Sequence, residues 1–302
     1  MTTLQPLRRI VNRLVGMLPA PLSDLSVRCV AFCRRVLVGP HVTAYAVRTP
    51  DGLLLFDADD DSVGGGLRLH GEWQPQCVAA LGRVTRADSR VLVIGAHVGS
   101  FVVPLARRAH SVTALEPTPA SFELLVANVR LAAATNVILH GCGASNYNGK
   151  ATLFTTQRNR GGSRLLQRRP RGREQQHCFT VPVHRLDDLL DGQTFDVVMM
   201  DAEGHEPEIL DGATNLMKDA HACLIEVHGS FLQDRPPQVL KQFARQLSEI
   251  FSCGREVSPE PGLSGWFDTR DLLEILRVVA AQNRITDFLL LRERSRWDEA
   301  EG

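Results

Sequence analysis

The chain has 302 residues, 44% of them hydrophobic and 23% charged, with a formal net charge of zero. That size and balance describe a globular chain with a proper core, and they exclude a global field that would recruit nucleic acid or an anionic membrane, leaving only local patches to do so. Its seven cysteines (29, 33, 77, 142, 178, 223 and 253) are dispersed without a CxxC pair, the pattern of incidental thiols in a reducing, cytoplasmic compartment and not of a disulfide frame or a zinc site.

The expected organisation is an N-terminal helical segment over 1–40, leading strands and a helix over 41–80, a main domain over 81–292 with an insertion at 146–185, and a polar tail over 293–302. In "LQPLRRIVNRLVGMLPAPL", Leu7, Ile10, Val11, Leu14 and Leu18 recur at helical spacing. Arg13 interrupts the apolar stretch, so it is neither a signal-peptide core nor a transmembrane span. A packing helix that covers the main domain or a second subunit of a homodimer is expected. The absence of acid before Asp24 also suits a transit peptide or a helix peripheral to a membrane.

From residue 90, strands alternate with helical patterns. "RVLVIGA", "SVTALEP", "NVILHGC", "FDVVMMDAEG" and "ACLIEVHG" read as strands, and "SFVVPLARRA", "SFELLVANVRLAA" and "PEILDGATNLM" as helices. Pro207 suits a first helical turn, and Glu208 suits the positive end of that helix. The predicted class is α/β, a mostly parallel doubly wound sheet. "ITDFLLLRE" adds a late antiparallel edge strand, and "GKATLFTTQ" with "CFTVPVHRL" an inserted β-hairpin.

Ligands of open α/β sheets bind beyond the carboxyl ends of the strands, which sets Gly95, Glu116, Asp201 and Glu226 along one rim. In "IGAHVGS", Gly95 and Gly99 bracket a strand-to-helix turn through Ala96 and His97, where a missing Cβ lets a ligand approach the backbone. The spacing is G-x-x-x-G, not the G-x-G-x-x-G of dinucleotide sites. Glu116, followed by Pro117, can accept both ribose hydroxyls of an adenosine-containing cofactor; the plainer role is a cap for the helix near Pro119. Cys142 and Gly143, after the third strand, complete the expected cofactor contacts.

These motifs together resemble the FkbM family of S-adenosylmethionine-dependent methyltransferases. The family's Asp-Val-Gly-Ala-Asn-Ile-Gly falls on Val93 to Gly99, its Glu-Pro on Glu116-Pro117, its Asp-x-Glu-Gly-x-Glu on Asp201, Glu203, Gly204 and Glu206, and its "IEVH" on Ile225 to His228. The resemblance implies the Rossmann-like class I methyltransferase fold, S-adenosylmethionine as cofactor, and O-methylation of a small molecule, sugar or glycan. Two departures stand out: the family's first Asp is Val93 here, and its Asn is His97. Asp201 or Glu72 would have to supply the lost carboxylate. A nicotinamide-dependent enzyme, which the glycine spacing disfavours, and a non-catalytic binding protein on the same fold are the alternatives.

Methyl transfer needs a positioned acceptor and a base. Asp201 is expected to orient the acceptor or the cofactor, and Glu203, Glu206 and His228 are the candidate bases. For Glu206 the plain alternative is a solvated helix cap, and for His205 a surface histidine. The same acids suit a divalent cation such as magnesium, although no spacing specifies a metal. Glu72, Glu226, Arg158, Arg160 and Arg164 are expected on the acceptor side. The arginines belong to the loop "QRNRGGSRLLQRRPRGRE", whose guanidinium groups suit an anionic acceptor such as a phosphosugar, a nucleotide-linked sugar or a glycolipid headgroup. Its lack of aromatics disfavours single-stranded nucleic acid.

Overall fold

The computed structural model describes residues 39, 41–155, 161–166, 178–258, 262–263 and 265–298. The chain divides into two compact units, Met1–Tyr45 and Ala46–Gly302. The expected N-terminal helix, Arg158, Arg160 and the end of the polar tail lie outside the described residues.

In chain order the elements are β1 (Ala44–Thr49), β2 (Gly52–Asp57), α1 (Val63–His70), α2 (Pro75–Val84), β3 (Arg90–Ile94), α3 (Val102–Ala106), β4 (Ser111–Leu115), α4 (Pro119–Leu131) and β5 (Val137–His140). The insertion holds β6 (Gly143–Ala144), β7 (Gly149–Phe154), β8 (Arg164–Leu165) and β9 (Cys178–His184), followed by α5 (Leu186–Leu189). Then come β10 (Val197–Met200), α6 (Glu206–Asp211), β11 (Ala222–His228), α7 (Gly229–Gln233), α8 (Pro237–Ile250), β12 (Cys253–Glu256), β13 (Trp266–Asp268), α9 (Leu272–Ala281), β14 (Ile285–Leu291) and α10 (Ser295–Asp298).

The main sheet has eight strands in the order β13-β12-β14-β11-β10-β3-β4-β5. Its strands from β5 through β11 are parallel. β3 and β10 are buried on both faces apart from Arg90, which explains why they read as unbroken apolar runs without alternation. One core cluster packs on each face, so the expected doubly wound α/β class holds.

Three local expectations are corrected. β14 is antiparallel to β11, as expected, but it is not the edge: β12 and β13 lie outside it. β12, "CGRE", has no apolar run to announce it. It forms because a bare Gly254 admits its neighbours, a Cβ there falling 2.6 Å from Phe267 and 2.7 Å from Leu290. "PEILDGATNLM" gives the short α6, with Pro207 in its first turn as expected, and then a separate turn over Leu216–Lys218. The break is at Gly212, where a Cβ would meet the Ser145 carbonyl at 1.9 Å. The inserted hairpin pairs β7 with β9 antiparallel, yet together with β6 and β8 it makes a sheet of its own. Among the described residues no helix is long and apolar enough to cross a membrane.

The ends of β3 and β10 are joined by close contact. The Asp201 N–H donates to the Ile94 carbonyl at 3.0 Å, and a Cβ on Gly95, whose φ is +85°, would lie 1.7 Å from the Asp201 carbonyl oxygen. Gly95→Ala should therefore cost about 2–5 kcal/mol through overpacking and a left-handed backbone, read as a lower urea midpoint. A change below about 0.5 kcal/mol would mean that the two strand ends do not need this approach.

Candidate active site

Parallel strands β3, β4, β5, β10 and β11 bring their carboxyl ends to one edge, and Ile285 of β14 joins it by pairing with His228. A cavity of about 320 Å³ opens there. Of the residues expected from the sequence, it is lined by Gly95, Ala96, His97, Glu116, Pro117, Cys142, Gly143, Asp201, Glu203, Glu226 and His228. The insertion contributes Leu153, Gly161, Ser163 and Leu165, and the segment before β3 contributes Ser62, Val63, Trp73 and Gln74.

Glu116 is buried and holds the first turn. Its Oε2 accepts the His97 N–H at 2.8 Å and its Oε1 the Thr118 N–H at 2.7 Å. It thus ties the glycine turn to the N-cap of α4. Each carboxylate oxygen keeps a further lone pair for a ligand hydroxyl. His97 adopts a φ of +49°, and its Nε2 lies 3.8 Å from Asp60. Asp60 is wholly buried and accepts N–H groups from Ser62 at 2.9 Å and Gly64 at 3.1 Å; withdrawal from water raises its pKa. Val93, where the family has Asp, is buried in mid-sheet between Met199 and Ala114 and does not reach the cavity.

The second turn, Asp201 to Glu206, is shaped by two left-handed residues, Glu203 at φ +53° and Gly204 at φ +89°. Glu206 does not line the cavity. It is buried, and its Oε1 accepts the N–H groups of Ala202 at 2.9 Å and Gly204 at 3.2 Å, closing the turn on itself. His205, expected at the surface, is buried and lines the cavity, with Nε2 3.0 Å from the Ser145 hydroxyl. Burial lowers its pKa. Glu208 lies 3.7 Å from His205 Nδ1 and pairs with Arg235, which also donates to the Gly204 carbonyl at 2.6 Å.

His228 Nε2 faces two carboxylates at once, Glu226 at 2.6 Å and Glu203 at 3.2 Å. Phe231 stacks on its ring, with centroids 5.0 Å apart and planes 26° apart. Phe231 fits only because Gly204 is bare, since a Cβ there would lie 2.5 Å from the ring. The Arg164 guanidinium lies 5.5 Å from the Phe231 centroid and 5.3 Å from that of Phe154. Glu203, Glu226 and His228 each offer one ligating atom, all within 4.8 Å of one another. A divalent cation is compatible with that spacing, and the short His228–Glu226 contact is a hydrogen bond already made within it.

Burial and crowding of like charges set the electrostatics. Withdrawal from water and then the charge of Asp201 push Glu203 up to about 8. Burial and then Asp287 push Glu226 up to about 8. Burial and then Glu226 hold Asp201 well above the carboxylate range, so the Asp201–Glu226 pair holds a proton between them. Asp287 rises to about 6, chiefly through burial.

Gly99 and Glu72 sit elsewhere. Gly99, at φ +94°, is bare for packing, because a Cβ would lie 2.8 Å from Leu125. Both residues line a second cavity. Sequence reasoning passed over Asp60, Asp287, Trp73 and Phe231. Asp287 carried a local signal as the one charge within "ITDFLLL", and Asp60 and Trp73 lie in the distinctive segment "FDADDDSVGGGLRLHGEWQ".

The family described as Methyltransferase FkbM domain matches residues 94–257, more than half of the chain. No curated protein matches the sequence. Among solved structures, a methyltransferase FkbM from Methylobacillus flagellatus KT is 16% identical with a TM-score of 0.43, the alignment covering 68% of this chain and 44% of that one. This chain thus spans under half of the Methylobacillus protein. An rRNA methylase from Streptococcus thermophilus is 10% identical with a TM-score of 0.41, covering 71% of this chain and 93% of that one. TYW2 from M. jannaschii, solved with AdoMet, is 14% identical with a TM-score of 0.40, covering 82% and 84%.

Glu203 and Glu226 bind protons more tightly in the folded chain, near 8, than at their ordinary 4.5. Between those values the folded state carries the extra protons, so stability should fall as pH rises, by up to about 1.4 kcal/mol per pH unit for each group. Glu226→Gln should remove one group's share of that slope in urea unfolding measured from pH 5 to 8. A slope unchanged by the substitution would show that Glu226 does not carry the proton.

Proposed function

The chain belongs to the FkbM methyltransferase family, and on that premise we propose that it is an S-adenosylmethionine-dependent O-methyltransferase whose acceptor is a hydroxyl of a small molecule, sugar or glycan. The observation that carries the reading is that one cavity joins a ribose-type carboxylate, Glu116, to a proton-sharing set, Glu203, His228 and Glu226. The donor groups fit the cofactor. Glu116 keeps lone pairs for two ribose hydroxyls, and Gly95, Ala96, Pro117, Cys142 and Gly143 supply backbone and small apolar surface around it. When bound there, S-adenosylmethionine supplies the methyl group.

The rest of the work falls to this chain's side chains. An acceptor hydroxyl must be held in line and must lose its proton. His228 Nε2, with Glu203 and Glu226 on either side, is the group placed to take that proton. Asp201, hydrogen-bonded to Glu226, adds a further carboxyl to this set. Phe231, stacked on His228, fixes the ring. Positioning is the larger contribution, up to roughly 7–11 kcal/mol, against about 10²–10⁴-fold from the base. Arg164, over Phe231, is the described residue suited to an anionic group on the acceptor.

Calorimetric titration with S-adenosylhomocysteine is the direct test. One-to-one binding is expected, weakened about tenfold or more in Glu116→Gln through the loss of charged hydrogen bonds. With an acceptor found by screening anionic glycans, Glu203→Gln and His228→Asn should lower turnover by about 10²–10⁴-fold and leave that affinity nearly unchanged. Absence of binding at high ligand concentration would sink the cofactor assignment. A magnesium-dependent affinity would move the Glu203, Glu226 and His228 set from proton sharing to holding a cation.

A further inference from the structure

The segment before β3 gives the main cavity one wall, through Ser62, Val63, Trp73 and Gln74. Among the described residues its strand β2 pairs only with β1, outside the main sheet. A single side chain ties this segment to the glycine turn. Asn128 of α4 is wholly buried. Its Oδ1 accepts the Leu55 N–H at 2.6 Å and its Nδ2 donates to the Leu55 carbonyl at 2.8 Å, so the amide gives β2 the two bonds that a neighbouring strand would. The same Nδ2 donates its second proton to the Val98 carbonyl at 2.7 Å, inside the turn that Gly95 and Gly99 bracket. Both amide protons are thereby used. A second buried polar group meets the same turn, since Asp60 binds the N–H groups of Ser62 and Gly64 and lies 3.8 Å from His97 Nε2.

Asn128 stands on the buried stripe of α4 beside Leu125 and Val129, where an apolar residue would also fit the helix better. An amide there is tolerated because its bonds are made, and removing it would orphan the backbone groups of Leu55 and Val98. The wall and the turn therefore hold each other in place through this amide. A ligand that fills the cavity touches both, since Gly95, Ala96 and His97 line it together with the wall residues, whereas Asn128 does not. Resting on the reading that the cavity takes S-adenosylmethionine, we propose that Asn128 is a positioning residue for the cofactor. It couples the docking of the β2–α1 wall to the closed form of the glycine turn, so that bound cofactor steadies the wall and the docked wall tightens cofactor binding. The coupling is reciprocal, as any free-energy linkage between two sites must be.

Two measurements on the full-length chain test this, both with S-adenosylhomocysteine as the probe. In calorimetry, Asn128→Ala should weaken binding by about tenfold or more, the size of one or two lost hydrogen bonds. Leu247→Ala, a buried change in the other core cluster, destabilises the fold as well and should leave the affinity within about twofold, which separates positioning from stability. In amide hydrogen exchange of the unsubstituted chain, the ligand should slow Leu55, Ser62 and Gly64 about tenfold beyond any slowing shared with Leu290 of β14, because only local docking is coupled to the site. This second measurement decides the matter alone where Asn128→Ala does not fold. Binding with no extra slowing of the wall amides, or an Asn128→Ala affinity within twofold of the parent, would overturn the coupling and leave the cofactor reading standing. Failure of the unsubstituted chain to bind the probe would overturn both.

Discussion

The closest backbone approach in the described chain on which a functional argument turns is that of the Asp201 carbonyl to Gly95. It locks the end of β10 against the end of β3, so that the glycine turn and the acid-rich turn become one surface. Every group of the candidate site is placed relative to this junction. Glu116 holds the far side of the glycine turn through the His97 N–H. On the near side Glu206 closes the Asp201 turn by accepting two of its N–H groups. A buried carboxylate that satisfies backbone donors costs far less than an unpaired one, which explains how an acid at Glu206 is tolerated without facing a ligand.

The cavity floor is unusual for its balance of charge. Asp201, Glu203 and Glu226 line it, Asp287 lies beyond it as the cross-strand partner of Glu226, and all four are withdrawn from water with their proton affinity raised. Like charges this close cannot all ionise. The protons are therefore distributed over the group, and no single carboxyl is the base on its own. His228 sits at the centre of that distribution because two acids converge on one nitrogen. The stack of Phe231 on His228 is made possible by bare Gly204: the residue that lets the turn bend also lets the ring be held.

The segment before β3 and the small inserted sheet both contribute to the walls of the main cavity. The first brings Trp73, which also bounds the second cavity, so that the two chambers share an aromatic partition. The second brings Leu153 and Leu165, with Arg164 beside them over Phe231. Core strands of a parallel sheet make the frame, and irregular segments carried by it make the walls, as expected where function is grafted onto a rigid scaffold.

The central strands were legible in the sequence because doubly buried parallel strands must be continuous apolar runs, and "RVLVI" and "VVMM" could hardly be anything else. The rim followed from the same fact, since the polar residue that ends each run marks where its strand leaves the sheet. Gly95, Glu116, Asp201, Glu203, Glu226 and His228 could thus be placed along one edge without coordinates. What the residue string left open was orientation. Glu206 and Glu203 share one short motif, yet one closes the turn and the other faces the cavity, because two left-handed residues between Ala202 and His205 rotate them apart. His205 reads as a surface residue until Ser145, brought by the inserted sheet, covers it. β12 and the seat of Phe231 depend on glycines whose neighbours come from distant parts of the chain. Local periodicity reports which residues are buried; which partner buries them, and which way a carboxylate turns, is decided only when distant segments meet.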